Sequence, residues 1–311
     1  MMSKKNNMAY LAAMAYAFIT GLSFLFTKVS LNTAKPWDIL SHRFTAAYMG
    51  LLIAVIFQWV RVDFNKERIK KLIPLALLYP LSFFAFQTTG LQYATSSEAA
   101  ILLASSPIFT MILSSSFLKE KNTILQKISI IITVSGVIYI TLMKGAEFKL
   151  NNILGIILLL LSSLSISGYS VWARHLTKDF TSIEISYIMI TISFIVYNII
   201  AIIRHMINGT ISTFFLPFTN ITYLISILYL GILSSLGTLL LTNYILSKME
   251  ASRMSVFSNL GTVISIVAGV VFLNENIFYF HIIGSILIIG GVIGTNYFKK
   301  EDDMVEDKSI G

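Results

Sequence analysis

Charged and amide side chains are rare inside the apolar stretches of this 311-residue chain, so the few that occur there are the first candidates for chemistry. Arg43 lies six residues beyond Trp37, and Gln87 and Asn259 lie midway along two other stretches. A buried guanidinium or amide can bind a polar solute, because it needs a hydrogen-bond partner away from water. Arg43 could instead extend to a membrane surface and anchor its helix, as could Lys28.

Carboxylates are missing from the middle of every apolar stretch, and the nearest are Asp38, Glu98, Glu184 and Glu250 at the ends. Proton relays and cation sites deep in a membrane use such groups, so an acidic proton path is not expected. The chain also lacks cysteine, the His-Glu-x-x-His and Gly-x-Ser-x-Gly motifs and a phosphate-binding loop. These absences argue against an enzyme, a metal site or a cofactor.

Small residues occupy matching places in the fourth and ninth stretches: Ser105 before Pro107, and Ser258 with Asn259 before Gly261. Proline removes a backbone donor and glycine weakens a helix, so both helices could bend there and turn carbonyls towards a cavity. The alternative is that serine and glycine only allow close helix packing in lipid.

Aromatic residues are the other candidates for solute contact, because stacking and cation–π contacts can hold flat or cationic molecules. Most aromatic residues in a membrane protein pack in its core or at its interfaces, however. Tyr169 is favoured among them because it recurs at the place of the Gly21-Leu22-Ser23 segment in the second half of the chain. The predicted solute-binding residues are Phe24, Gln87, Ser105, Tyr169, Trp172, Tyr244, Ser258 and Asn259.

Two further groups of residues are assigned to the architecture. Glu120 and Glu275 stand just before the fifth and tenth stretches, where a carboxylate can accept hydrogen bonds from free amides at a helix start. The predicted gating or anchoring residues are Lys28, Arg43, Pro107 and Gly261.

The elements that must position these residues are membrane helices. Hydrophobic residues make up 56% of the chain and charged residues 12%, which is too little polar surface for a soluble globule. Stretches of about 20 apolar residues recur, as a helix crossing the bilayer requires, and the first is too long for a signal peptide. They are Met8–Lys28, Trp37–Val60, Leu72–Tyr93, Ser97–Leu118, Ile124–Met143, Ile153–Ala173, Ile183–Ile203, Ile221–Leu246, Ser252–Leu273 and Ile277–Phe298.

The positive charges predict the orientation of these ten stretches. Of the 23 Lys and Arg residues, 17 lie at the N-terminus, in alternate loops or in the tail, and Arg43 lies within a stretch. Because Lys and Arg accumulate on the cytoplasmic side, both chain ends are predicted to be cytoplasmic. The residues on the opposite side are Lys28, Lys35, Lys144, Lys149 and Arg204.

An internal repeat divides the chain. A shift of 155 residues aligns Leu91–Ile140 with Leu246–Thr295, including Phe-Leu-x-Glu and, sixteen residues after the glutamate, Gly-Val-Ile. Each half holds five stretches, an odd number, so the second half enters the membrane from the opposite side. The prediction is an all-α integral membrane protein with ten transmembrane helices in two inverted five-helix repeats, residues 1–146 and 147–298, followed by a cytoplasmic tail, 299–311.

Two five-helix halves, ending in Phe-Leu-Lys-Glu120 or Phe-Leu-Asn-Glu275 before a Gly-Val-Ile helix, resemble the EamA-like branch of the drug/metabolite transporter superfamily. The resemblance implies a central cavity built from the first four helices of each half, with the fifth and tenth helices outside. It also implies amino acids, metabolites, nucleotide-like compounds or drugs as substrates. The small four-helix relatives exchange protons through a glutamate in their first helix, whereas the stretch Met8–Lys28 contains no carboxylate.

These observations lead to the expectation of a secondary transporter of small organic metabolites, in the export direction, across the plasma membrane. Its expected partners are a small-molecule solute and membrane lipids but not nucleic acid, since the net charge of +8 lies between the apolar stretches. A monomer and a homodimer both fit. A flippase of lipid-linked substrates and an intramembrane enzyme are the alternatives.

Overall fold

The computed structural model describes residues 2–57, 66–118, 123–143, 150–176, 180–248, 251–291 and 293–294, and these ranges contain helices and turns but no β-strand. Two π-helical segments, Leu77–Ser82 and Tyr229–Gly237, join α3 to α4 and α10 to α11. Two short 3-10 turns, Ile211–Thr213 and Leu216–Thr219, follow α9. The α-helices are α1 (Met2–Leu31), α2 (Pro36–Ile56), α3 (Lys66–Ala76), α4 (Phe83–Gly90), α5 (Ser96–Leu103), α6 (Ser106–Leu118), α7 (Ile124–Met143), α8 (Leu150–Leu176), α9 (Ser182–Ile207), α10 (Ile221–Leu228), α11 (Thr238–Lys248), α12 (Ala251–Leu273) and α13 (Tyr279–Gly291).

Within the described ranges, seven helical spans are long and apolar enough to cross a membrane. Three shorter apolar helices, Lys127–Gly136, Leu260–Leu273 and Tyr279–Gly291, lie inside the fifth, ninth and tenth predicted stretches. The predicted all-α architecture is therefore confirmed, whereas the count of ten crossings stays a prediction. The seven spans are Met8–Leu31, Pro36–Ile56, Lys70–Gly90, Ser96–Phe117, Ile153–Ala173, Ser182–Ile207 and Ile221–Lys248.

Three of the seven spans are interrupted near their middle. The third contains a π-helical segment with Pro80, and the backbone of Tyr79 is not helical there (φ −144°, ψ 124°). The fourth turns between α5 and α6 just before Pro107, which lacks a backbone N–H and therefore suits the first turn of a new helix. The seventh span, which corresponds to the eighth predicted stretch, contains the π-helical segment Tyr229–Gly237. Irregular backbone of this kind is tolerated in a membrane where other protein groups surround it.

Polar residues mark where several helices begin. Thr95 and Glu98 form a capping box at the start of α5, and Thr181 and Glu184 form another at the start of α9. The Asn220 side chain accepts hydrogen bonds from the first amides of α10. Each group satisfies backbone donors that have no partner within the helix.

The helices pack in related pairs. α1 lies against α12, while α8 lies against α5 and α6; α1 also contacts α10 and α11, while α8 contacts α4. The α1–α12 contact depends on glycine, because a Cβ atom on Gly21 would stand 2.6 Å from the Gly261 carbonyl oxygen. Small residues thus allow two backbones to approach closely.

The contact between α7 and α13 depends on glycine at two places. A Cβ atom on Gly136 would stand 2.9 Å from the Gly284 carbonyl oxygen, and one on Gly291 would stand 2.6 Å from the Ser129 carbonyl oxygen. Gly136 and Gly291 are equivalent positions of the sequence repeat, and so are Ser129 and Gly284. The two contacts are therefore related by exchange of the halves.

Many large apolar side chains are exposed and many polar side chains are buried, as expected for a protein whose solvent is lipid. Ile131, Ile207 and Phe272 are more than 60% exposed, whereas Ser162 and Thr88 are fully buried. Many buried hydroxyls donate to a carbonyl three or four residues earlier in their own helix, for example Thr27 to Ser23 at 2.7 Å. Buried serine and threonine therefore need few partners on other helices.

Candidate functional site

A small cavity lies at the centre of the bundle, between helices from both halves of the chain. Its volume is about 60 Å³, which is room for on the order of two water molecules. Its walls come from α1, the third and fourth spans, α8, the span containing α10 and α11, and α12. The lining residues that matter below are Thr20, Phe24, Phe84, Gln87, Ser234 and Thr262.

Gln87 presents a primary amide to this cavity from α4. The residue is 3% exposed, and its amide makes no hydrogen bond with any other residue that the structure describes. By contrast, the hydroxyls of Thr20 and Thr262 donate to the carbonyls of Tyr16 (2.8 Å) and Ala100 (3.2 Å). Because an amide carries two N–H donors and an acceptor oxygen, Gln87 is equipped to bind a polar solute in the cavity.

Arg43 on α2 lies directly behind the cavity wall and is fully buried. Its Nε donates to Ser235 Oγ at 2.6 Å and its Nη2 donates to Ser234 Oγ at 2.9 Å. The guanidinium carbon lies 3.8 Å from the centroid of the Phe84 ring. Arg43 therefore does not extend to a membrane surface; it binds the π-helical segment of the neighbouring span and the ring that lines the cavity.

An aromatic cluster separates Arg43 from the open space. Phe84 contacts Phe44, Tyr79 and Phe83, with ring centroids 5.5, 5.4 and 4.7 Å away. Phe83, Phe84 and Tyr79 line the cavity, so part of its wall is made of ring faces and edges. Such a wall suits a solute with an apolar or flat portion.

Tyr169 on α8 is fully buried and packs on Tyr79, with ring centroids 4.9 Å apart. Its hydroxyl donates to Asn243 Oδ1 at 2.5 Å, and Asn243 Nδ2 donates to Ser186 Oγ at 2.9 Å. This chain of hydrogen bonds connects α8, α11 and α9 next to the cavity.

A second polar cluster joins other helix ends. Lys28 Nζ donates to the carbonyls of Leu91 (2.8 Å) and Ala94 (2.6 Å). Glu275 accepts hydrogen bonds from the backbone amides of Ser96 (2.7 Å) and Ser97 (3.0 Å), which begin α5. The carboxylate therefore lies at the start of a helix, as predicted for its type, but the helix is the fourth span and not the tenth stretch that follows Glu275 in sequence.

A wider pocket of about 470 Å³ lies where α2 and α9 meet the 3-10 turns. Asp38 and His205 line it, with Asp38 Oδ1 and His205 Nε2 3.0 Å apart. Behind it, His42 Nδ1 lies 2.8 Å from the Tyr223 hydroxyl, and its ring packs against Phe214. These contacts hold the 3-10 turns against α2.

A third hollow, also about 470 Å³, is a groove between α5, α12 and α13. Isoleucine and valine make up most of its lining, and the polar side chains in it are Ser97, His281 and Ser285. A groove of this composition suits an apolar chain better than a polar solute.

The sequence-predicted residues fall into three sets. Phe24, Gln87 and Gly261 line the central cavity. Ser105, Tyr169 and Tyr244 do not line it: Ser105 donates to the Leu102 carbonyl, and its neighbour Ser106 lines the cavity instead. Trp172 is 44% exposed on the bundle surface.

Further predicted residues are placed only in part. α12 continues through Gly261, which serves a close helix contact with Ala17 and Gly21. The side chains of Ser258 and Asn259, and all of Glu120, lie outside the described residues.

Other cavity residues were missed by sequence reasoning. Thr20, Ser234, Thr238 and Thr262 line the cavity but look like ordinary small residues of membrane helices. The signal that could have found Ser234 is the Arg43 side chain, which needed hydrogen-bond acceptors on a neighbouring helix.

No group of three or more His, Asp or Glu residues capable of holding a metal ion occurs in the part of the chain that the structure describes. The polar and aromatic groups that line the cavity are amide, hydroxyl and ring groups, with the Arg43 guanidinium behind its wall.

Comparisons with known proteins identify the family to which this chain belongs. The model of the EamA-like transporter family matches the chain twice, over residues 7–142 and 153–297. The uncharacterized transporter YcxC of Bacillus subtilis is 45% identical over 296 residues, which covers 95% of each chain. An uncharacterized transporter of Archaeoglobus fulgidus is 29% identical over 273 residues, 88% of this chain and 92% of the relative.

A solved structure supports the fold. A protein crystal structure aligns with a TM-score of 0.63 at 15% identity, covering 95% of this chain and 98% of the other. At that identity the likeness concerns the fold alone. The two family matches and the high identity to YcxC show that the chain is a multi-pass membrane protein and belongs to the EamA-like transporter family.

Proposed function

We propose that this protein is a secondary transporter of small organic solutes that works by alternating access. The observation that carries the proposal is the central cavity, whose wall is built by both halves and contains the Gln87 amide without a described protein partner. A cavity enclosed by two halves can open to either side of the membrane when the halves rock against each other.

An inverted five-helix repeat underlies this proposal, and three observations support it. The family model matches each half once. The contacts of α1 with α12 and with α11 have counterparts in the contacts of α8 with α5 and α6 and with α4. The shift of 155 residues places the π-helical segment Leu77–Ser82 at residues 232–237, inside the segment Tyr229–Gly237.

The membrane arrangement that we propose has ten crossings, with repeats over residues 1–146 and 147–298 and a cytoplasmic tail over 299–311. The distribution of Lys and Arg supports cytoplasmic chain ends in the plasma membrane. In this arrangement the starts of α5 and α13 lie on the outer side. The contacts of Lys28 and Glu275 then close the outer end of the bundle.

Closure on that side brings α5 and α12 together. The hydroxyls of Ser96 and Ser265 lie 3.3 Å apart, and both residues are fully buried. On the other side, the Tyr169–Asn243–Ser186 hydrogen bonds join three helices. We propose that these two regions separate in turn during transport.

Amino acids and drug-like metabolites are the proposed solutes, with export as the direction. The mixed wall of amide, hydroxyl and aromatic groups supports a solute with polar and apolar parts, and the cavity of about 60 Å³ would widen to admit it when one end of the bundle opens. For a flippase, the groove beside α13 would have to accept a polar headgroup, and its largely isoleucine and valine lining gives no support to that alternative.

The test is solute counterflow in proteoliposomes that contain the purified full-length protein. The probes are radiolabelled amino acids, nucleosides, polyamines and quaternary amines. At least one should exchange faster than in protein-free liposomes. The proposal is overturned if none moves and none raises the thermal stability of the detergent-solubilised protein.

A double cysteine variant tests alternating access, and its reduced form serves as the control for its oxidised form. The chain contains no cysteine, so Ser96→Cys with Ser265→Cys gives a single possible disulfide. Oxidation should stop counterflow and reduction should restore it, whereas the same oxidant should leave the Ser96→Cys single variant active. Full activity of the oxidised, crosslinked protein would rule out opening at this contact.

A further inference from the structure

The buried charge of Arg43 is the starting point. An arginine stays protonated in proteins, so its burial has to be compensated by hydrogen bonds and by an opposite charge. Arg43 is 0% exposed, and one of its terminal nitrogens, Nη1, has no hydrogen-bond partner among the described residues. Its remaining polar contacts are neutral oxygens of Ser234 and Ser235.

No carboxylate balances this charge within the described part of the chain. Asp38 Oδ1 lies 3.0 Å from His205 Nε2, and Glu98 Oε1 lies 3.5 Å from His281 Nε2. Glu275 binds the start of α5, and Glu184 caps α9. In a low-dielectric bundle, an unbalanced cation creates a positive potential that reaches neighbouring cavities.

Two residues that contact Arg43 also line the cavity. Ser234, which accepts a hydrogen bond from Nη2, lines it. Phe84, whose ring centroid lies 3.8 Å from the guanidinium carbon, lines it as well. One layer of side chains therefore separates the unbalanced charge from the site proposed for the solute, and a movement of the Phe84 ring would remove that layer.

From this arrangement we infer that the transported solute carries an anionic group, such as a carboxylate, and that Arg43 is its counter-charge. The inference rests on the proposed transport function and deepens it by naming a chemical class. Gln87, on the same helix as Phe84, then binds a second polar group of the solute. A bound anion would form charge-assisted hydrogen bonds, which are stronger than those of neutral partners.

The experiment compares acids with their amides on the full-length protein in detergent. The probes are benzoate with benzamide, succinate with succinamide, and L-phenylalanine with L-phenylalaninamide. We expect at least one acid to raise the melting temperature while its amide, at the same concentration, does not. This comparison uses the unmodified protein, so it stays decisive even where a variant fails to fold.

Variants then locate the effect. In Arg43→Gln the stabilising acid should bind about 10- to 100-fold more weakly, while Arg43→Lys should keep part of the affinity. The matched control is Arg204→Gln, whose guanidinium lies 5.7 Å from the Trp37 ring and away from the cavity wall. It should bind the acid as the unmodified protein does.

The outcomes separate this inference from the transport function. If amides or polyamines stabilise the protein or exchange in liposomes while no acid does, the anion inference is wrong and the transport function stands. An acid that binds Arg43→Gln as tightly as the unmodified protein also overturns the inference. If no probe binds and none is transported, both fail.

Discussion

At the scale of single residues, the bundle satisfies most of its buried polar groups locally and leaves a few for function. Serine and threonine hydroxyls donate hydrogen bonds to carbonyls of their own helices, as Thr133 does to the Ser129 carbonyl at 3.0 Å. Arg43 instead donates to Ser235 on another element, and the Gln87 amide lines the cavity without a hydrogen bond to any described residue. The Gln87 amide at the cavity and Arg43 Nη1 behind its wall are thus left without a described partner, as are buried atoms elsewhere such as Ser193 Oγ and Thr242 Oγ1.

The Tyr169–Asn243 hydrogen bond gives a residue-scale prediction. Tyr169→Phe removes the hydroxyl that donates to Asn243 Oδ1, so the apparent free energy of unfolding in detergent should fall by about 0.6 to 1.7 kcal/mol. The matched control is Tyr244→Phe, whose hydroxyl has no hydrogen bond to any described residue. Equal melting temperatures for the two variants would contradict a stabilising role of this bond.

Residue types at middle depth allowed part of the site to be predicted. Gln87 and Phe24 were found because an amide or a ring in an apolar stretch is conspicuous, and both line the cavity. Tyr169 was chosen for its repeat position, yet Tyr79 takes the lining position and Tyr169 packs behind it. Ordinary serines such as Ser234 gain importance only through tertiary contacts with Arg43, which no local pattern records.

At the scale of elements, helix approach depends on a few small residues. α1 and α12 run as continuous helices and meet where Gly21 and Gly261 leave space for backbone contact. Hydropathy predicted where the spans lie, because each needs about 20 apolar residues. The π-helical segments were not predicted, since their apolar sequence fits an α-helix equally well and Pro80 marks only one of the two.

The glycine contact gives an element-scale prediction. Gly21→Ala would place a Cβ atom 2.6 Å from the Gly261 carbonyl oxygen, so α1 and α12 must separate. We expect a loss of about 1 to 3 kcal/mol of apparent stability in detergent.

Gly290→Ala is the control for this substitution. A Cβ atom on Gly290 meets nothing within 4 Å, and alanine is the better helix former by about 0.8 to 1 kcal/mol. This variant should therefore be as stable as the unmodified protein or slightly more so. A Gly21→Ala protein that melts no lower than Gly290→Ala would show that α1 and α12 are not in close contact.

At the scale of the whole molecule, residues of both halves line one cavity, so neither half alone contains the proposed solute site. The repeat was visible in sequence as Phe-Leu-x-Glu and Gly-Val-Ile, and the structure adds equivalent contacts at Gly136 and Gly291. The size of the central space could not be predicted, because it depends on how side chains from six spans interlock.

The proposed orientation gives a whole-molecule prediction. The absence of cysteine means that one introduced thiol reports on one site. A membrane-impermeant maleimide added to intact cells should label Ser212→Cys, in the exposed turn after α9, and not Ser309→Cys near the C-terminus. Permeabilised cells should label both. Labelling of Ser309→Cys in intact cells would place the tail outside and reverse the assignment.

The π-helical segment Tyr229–Gly237 has a consequence for insertions and deletions in this protein. A π turn holds more residues than an α turn, so removing one residue there can restore α-helical geometry without rotating the side chains that follow. In the uninterrupted helix α8, the same removal would turn every later side chain by about 100° around the helix axis. Deletion of one residue should therefore preserve the fold in the π-helical segment Tyr229–Gly237 and disrupt it in α8.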